Sequence, residues 1–147
     1  MTKMINISGK DTVTRTAVAE GKILLKESTI GAVRKGTVKK GDVLTVSQIA
    51  GIQAAKETAD ILPLCHQIPL FSVDINFSIK KDGIVARTTV VADYRTGVEM
   101  EALVGTATAL LSVWDMVKYL EKDKDGQYPS TQISGIRVLS KKKGAKR

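Results

Sequence analysis

Asp115 and Lys118 stand three positions apart in TGVEMEALVGTATALLSVWDMVKYL. On a helix this places a carboxylate and an ammonium on neighbouring positions of one face, a pairing that can move protons or simply form a surface ion pair. Near the start of the same stretch lie Glu99 and Glu101, the first of them three residues after Thr96 and so also placed to close a capping box. His66, the only histidine, follows Cys65, the only cysteine, in LCHQIPL, where Pro63 and Pro69 restrict the backbone on either side. Imidazole is the natural acid and base at neutral pH, although a lone loop histidine is also an ordinary structural residue. One Cys and one His, adjacent in the chain, cannot close a tetrahedral zinc site, which leaves carboxylates as water-mediated ligands for magnesium. Lys40, in the turn Lys39-Lys40-Gly41-Asp42, can present its ammonium to a phosphate, and Arg15 can grip one bidentately. Each also has a plain reading as a solvated cation.

These side chains need elements to hold them. Residues 12–25 read as a strand broken at Gly21, and a short helix is expected over residues 28–34. A second helix, capped by Thr45 with Gln48 reaching back, carries Ile49, Ile52, Ala55, Ala59 and Leu62 at steps of three and four, and Pro63 stops it. From Phe71 to Ile79 apolar and polar residues alternate strictly, predicting a strand with Phe71 and Phe77 on its dry face. Asp82-Gly83 turns it into an antiparallel partner over residues 84–93. The long helix spans residues 96–120, a polar loop residues 122–130, and a closing strand residues 132–140. Strand, helix, strand, strand, helix, strand is the order of an α+β ferredoxin-like plait, an antiparallel sheet with helices packed on one face. One domain over residues 1–147 accounts for the whole chain.

Helical geometry separates the acidic groups. Glu101 and Asp115 face nearly the same way but lie roughly 21 Å apart along the axis, so one small ligand cannot touch both within one helix. If they share a site, a second chain must lay its helix alongside in the opposite direction.

The net charge of +8 favours phosphate-bearing ligands, and Lys142, Lys143, Lys146 and Arg147 read as a solvated, partly frayed end. The apolar run 102–114 is too short to cross a bilayer, the first ten residues hold no signal-peptide core, and Cys65, without a disulfide partner in the chain, reads as a small buried side chain. A cytoplasmic protein with no membrane and no nucleic-acid partner is expected. An RNA-binding plait is the competing class, but with aromatics at 4% and the phenylalanines turned inward it lacks a stacking platform. A purely structural oligomer would leave the charged ends of the long helix without a task.

KGDVLTVSQIAGIQAAKETADILPLCHQIPL, TGVEMEALVGTATALLSVWDMVK and IRVLSKKKG, taken in order, resemble the molybdenum-cofactor biosynthesis protein C family, the cyclic pyranopterin monophosphate synthases. The resemblance implies conversion of 3′,8-cyclo-7,8-dihydroguanosine 5′-triphosphate to cyclic pyranopterin monophosphate with loss of pyrophosphate. It implies Asp115 and Lys118 as catalytic residues, and substrate contacts at Leu64, Cys65, His66, Met100, Glu101, Glu99, Lys40, Lys141 and Arg15. No cofactor is required, and Mg2+ is admitted as counter-ion to the triphosphate. The assembly implied is a homo-hexamer, a trimer of dimers with sites at subunit interfaces. Gln67 stands where bacterial relatives usually carry Pro, and Lys141-Lys142-Lys143-Gly144 where they carry Lys-Ser-Gly-Gly; both departures resemble an archaeal branch.

Overall fold

Alternation decides the sheet. Along β2 (Ser72–Lys80) the odd-numbered side chains turn inward and Ile75 is fully buried, while Asp74, Asn76 and Ser78 face solvent. The structure, a computed structural model, describes residues 1–146. Four strands, β1 (Val13–Leu24), β2, β3 (Gly83–Tyr94) and β4 (Gln132–Lys146), form one antiparallel sheet in the order β2-β3-β1-β4. With α1 (Glu27–Lys35), α2 (Val43–Lys56), the single turn α3 (Thr58–Ile61) and α4 (Glu99–Glu121), this is the expected α+β plait. Ile23, Ile75, Ile84 and Leu110 are fully buried between sheet and helices, each contributing roughly 1.5–3 kcal/mol relative to exposure.

Several local expectations give way. Asp42, not Thr45, caps α2: its carboxylate accepts from the Thr45 amide at 3.1 Å and the Thr45 hydroxyl at 2.8 Å. Gln48 is spent elsewhere, donating to the Ile75 carbonyl at 2.8 Å. The buried face of the helix is rotated from the expected one. Ala55 is buried and Ile52 packs on the core as expected, but Ile49 is 59% exposed and Ser47, Gly51 and Ala54 are buried, because α2 lies so close to α4 that only small side chains fit between them. A Cβ on Gly51 would stand 2.8 Å from the Gly105 carbonyl oxygen. α2 ends at Lys56, well before Pro63, and α3 supplies a separate turn. Gly21 does not break β1; it stays in register opposite Ala86 and leaves room for Leu110 of α4. Phe71 precedes β2 and is 65% exposed, not on the dry face.

The basic end is the largest correction. β4 runs on to Lys146, pairing Lys141, Lys142 and Lys143 with Ala17, Thr16 and Arg15 of β1, so those residues are strand, not frayed tail. Lys146 meets Asp11 at 3.0 Å, and Arg147 lies outside the described residues. α4, at 23 residues with a window of mean hydropathy 1.3, is long and apolar enough to cross a bilayer by length and composition, unlike the shorter run read from sequence. Ala102, Gly105, Ala109, Val113 and Val117 are nevertheless buried, the placement of a core helix.

Candidate active site

The carboxylate of Asp115 is gripped on both oxygens. Lys118, one turn on along α4, places its Nζ 3.2 Å from Oδ1, and Lys40 brings its Nζ to 2.8 Å from Oδ2. Lys40 comes from the α1–α2 turn, where Gly41 takes a positive φ of 114° that other residues resist. Two contacts hold that turn on α4: the Lys39 amide donates to the Tyr119 hydroxyl at 2.8 Å, and the Lys39 ammonium lies 5.2 Å from the centre of the Tyr119 ring. Lys40, then Lys118, holds the Asp115 carboxyl below the usual carboxylate range. All three side chains are about half exposed, so the cluster adds little to stability. It amounts to an ionised base flanked by two proton donors, carrying a surplus positive charge.

At the other end of α4 the environment reverses. Glu101 is only 4% exposed, and burial, with Glu99 nearby, raises its pKa. It lines a cavity of about 550 Å³ with Leu64, Cys65, His66 and Met100. Cys65 is half-buried at this wall, not packed in the core as its sequence reading had it; burial first, then Glu101, pushes its thiol up and favours the protonated form. His66 Nε2 donates to the Ile5 carbonyl at 2.7 Å, which fixes a proton on that nitrogen and leaves Nδ1 as the free ring position.

That bond brings in residues the sequence reasoning missed. Lys3, Ile5, Ile7 and Lys10 of the N-terminal segment line the same cavity, and Arg95 donates to the carbonyls of Ser8 and Lys10 to pin the segment there. Residues 1–11 are too short and too weakly patterned to have been assigned an element or a role from sequence.

Glu99 does not cap α4. Val98 is the N-cap residue and makes no side-chain cap, while the Glu99 carboxylate meets Lys141 of β4 at 2.7 Å. Burial pushes Glu99 up, but the Lys141 hydrogen bond and the Lys141 and Arg15 charges outweigh it and leave the carboxyl low. Arg15 donates from Nε to the Tyr94 carbonyl at 3.4 Å. With Glu99 and Lys141 it lines a smaller cavity of about 260 Å³ that shares Gly97 and Glu99 with the larger one.

Two groups of residues result. Leu64, Cys65, His66, Met100 and Glu101 surround one cavity, with Glu99, Lys141 and Arg15 adjoining; Asp115, Lys118 and Lys40 cluster at the opposite end of an unbroken helix. One chain does not bring them together. Among the described residues no three His, Cys, Asp or Glu side chains converge as a metal site.

Residues 4–144 match the MoaC family. Among curated proteins the chain is 56% identical to the probable cyclic pyranopterin monophosphate synthase of Sulfolobus acidocaldarius, over 94% of this chain and 96% of the relative. It is 54% identical to that of Thermococcus kodakarensis, over 97% of this chain and 91% of the relative. A protein of Methanothermobacter thermautotrophicus named a probable cyclic pyranopterin monophosphate synthase accessory protein is 54% identical over 96% of this chain and 89% of its own length.

Proposed function

The chain belongs to the MoaC family, and from that premise we propose that it is a lyase of molybdenum cofactor biosynthesis, converting 3′,8-cyclo-7,8-dihydroguanosine 5′-triphosphate to cyclic pyranopterin monophosphate and pyrophosphate. The observation that carries the reading at residue level is the Asp115 carboxylate clasped by Lys40 and Lys118 at a protein surface. Forming the cyclic phosphate requires a substrate hydroxyl oxygen to attack the innermost phosphorus while the bond to the next phosphate breaks. The hydroxyl proton needs an acceptor, and the departing pyrophosphate needs positive charge. Asp115, held ionised, serves as acceptor in this chemistry and in the ring rearrangement; Lys118 and Lys40 serve as donors and as charge for the phosphates. Glu101, His66, Cys65, Met100 and Leu64 hold the purine-derived ring in the larger cavity, whose volume of about 550 Å³ falls in the ordinary range for small-ligand sites. Arg15, Lys141 and Glu99 form the adjoining polar wall.

Because Glu101 and Asp115 sit fourteen positions apart on one rigid helix, the complete site takes its two halves from two subunits. The helix face between them carries Leu111, 58% exposed, and the half-buried Val104 seven positions before it, and is apolar enough to pack against its own copy. Three such dimers make the hexamer. Magnesium, where present, travels with the triphosphate, and the unpaired thiol of Cys65 fits a reducing cytoplasm.

Asp115→Asn should fold and assemble like the parent yet release neither pterin nor pyrophosphate from the cyclised nucleotide. Undiminished turnover in that variant would overturn the mechanism. Salt-dependent binding of RNA in place of turnover would favour a nucleic-acid-binding plait.

A further inference from the structure

We propose that Lys143 is a further phosphate-binding residue of the site, joining Arg15 and Lys141 to hold the pyrophosphate end of a triphosphate substrate. The proposal rests on the triphosphate reading above. Between Arg15 and Val18 the pairing of β1 with β4 is regular, so Arg15 stands opposite Lys143 and Ala17 opposite Lys141. Cross-strand partners share a face, and alternate residues of one strand share it too. Ala17 is 1% exposed, packed with Val98 and Ala102 of the α4 region, which identifies this as the helix-covered face. Arg15, Lys141 and Lys143 therefore stand on that face together and line the cavity of about 260 Å³ at the start of α4; Lys142 and Thr16 also line it, but as the intervening pair their side chains belong to the opposite face.

The charges in this group are not equally committed. Lys141 is neutralised by Glu99 at 2.7 Å, and Arg15 has Nε engaged by a backbone carbonyl while its terminal nitrogens remain to bind. Lys143 makes no ion pair among the described residues. Like charges directly opposite one another destabilise a strand pair, yet Arg15 and Lys143 are held opposite at the mouth of a cavity. A polyanion between them turns that repulsion into a clamp. Pyrophosphate, with its several charged oxygens, suits three cations and one carboxylate better than a monoanion does, and β4, as an edge strand, leaves the group open to solvent.

Inorganic pyrophosphate tests the assignment without requiring turnover. Lys143→Ala should weaken its binding to the assembled protein about tenfold, the size of one lost charged hydrogen bond, and raise KM for the cyclised triphosphate with kcat little changed. Lys143→Arg should restore both, and Arg137→Ala, an equal loss of charge farther along β4, should alter neither. Equal weakening by Arg137→Ala and Lys143→Ala would reduce the effect to the general field and overturn the proposal, as would unchanged binding and KM in Lys143→Ala. A parent protein that binds pyrophosphate through Lys143 but never turns over the triphosphate would instead defeat the synthase reading and leave this site standing.

Discussion

Asp115 meets a separate ammonium on each oxygen, and the two are not equivalent: Lys40 is closer and contributes more to keeping the carboxyl ionised. A depressed carboxylate pKa adds stability above the unfolded pKa and loses it as pH falls through the folded one. Removing either lysine therefore moves Asp115 titration upward. Carboxyl-carbon NMR should find the larger rise in Lys40→Met and the smaller in Lys118→Met, and any residual activity should lose its acidic limb at correspondingly higher pH. Equal shifts, or none, would mean that the clasp does not set the protonation state. The Asp115–Lys118 pair was legible from its spacing of three, because a helix makes such pairs neighbours. Lys40 on the same carboxylate was not, since it joins across 75 positions of chain and depends on how a glycine turn lies against α4.

At the scale of elements, α2 and α4 approach closely enough that a missing side chain matters more than any present one. Gly51→Ala should cost about 1–3 kcal/mol in denaturant melts, because its Cβ meets Ile75 and the Gly105 carbonyl with nowhere to move. Gly31→Ala, in α1 with nothing within 4 Å of the new methyl, should stabilise by up to about 1 kcal/mol. The turn carrying Lys40 offers a third test: Tyr119→Phe removes the hydroxyl that receives the Lys39 amide but keeps the ring beneath the ammonium, and should raise KM several-fold with melting unchanged. The succession of strands and helices along the chain and the position of α4 could be read from apolar periodicity, because burial enforces it, and the hairpin from its Asp82-Gly83 turn. The buried face of α2 could be read only in part: Ala55 is buried and Ile52 packs on the core, but Ile49, which carries the same periodic signal, is exposed, and close helix packing selects Ser47 and Gly51. Both misread caps have one cause, in that a carboxylate or amide side chain goes to whichever partner tertiary packing offers, and for Gln48 and Glu99 that partner lay on a strand.

For the whole molecule, the proposed sharing of sites has an arithmetic consequence. Asp115→Asn and Glu101→Gln, each inactive alone, should on mixing and exchange recover about a quarter of parental activity, since half the dimers are mixed and each then holds one intact site. No recovery would place a complete site within one subunit. The pairing of β4 with β1 carries a different consequence, for the order of folding. β1 is synthesised early, yet its partners on β4 lie more than a hundred residues later in the chain, from Gln132 opposite Leu24 to Lys146 opposite Val13. Until that strand emerges, one edge of β1 carries unsatisfied backbone groups, the condition under which nascent chains associate with one another. The same late strand supplies Lys141 and Lys143. A chain released before position 141 would therefore lose two of the proposed phosphate-binding cations and at the same time expose an open sheet edge, so that loss of the site and a tendency to aggregate go together.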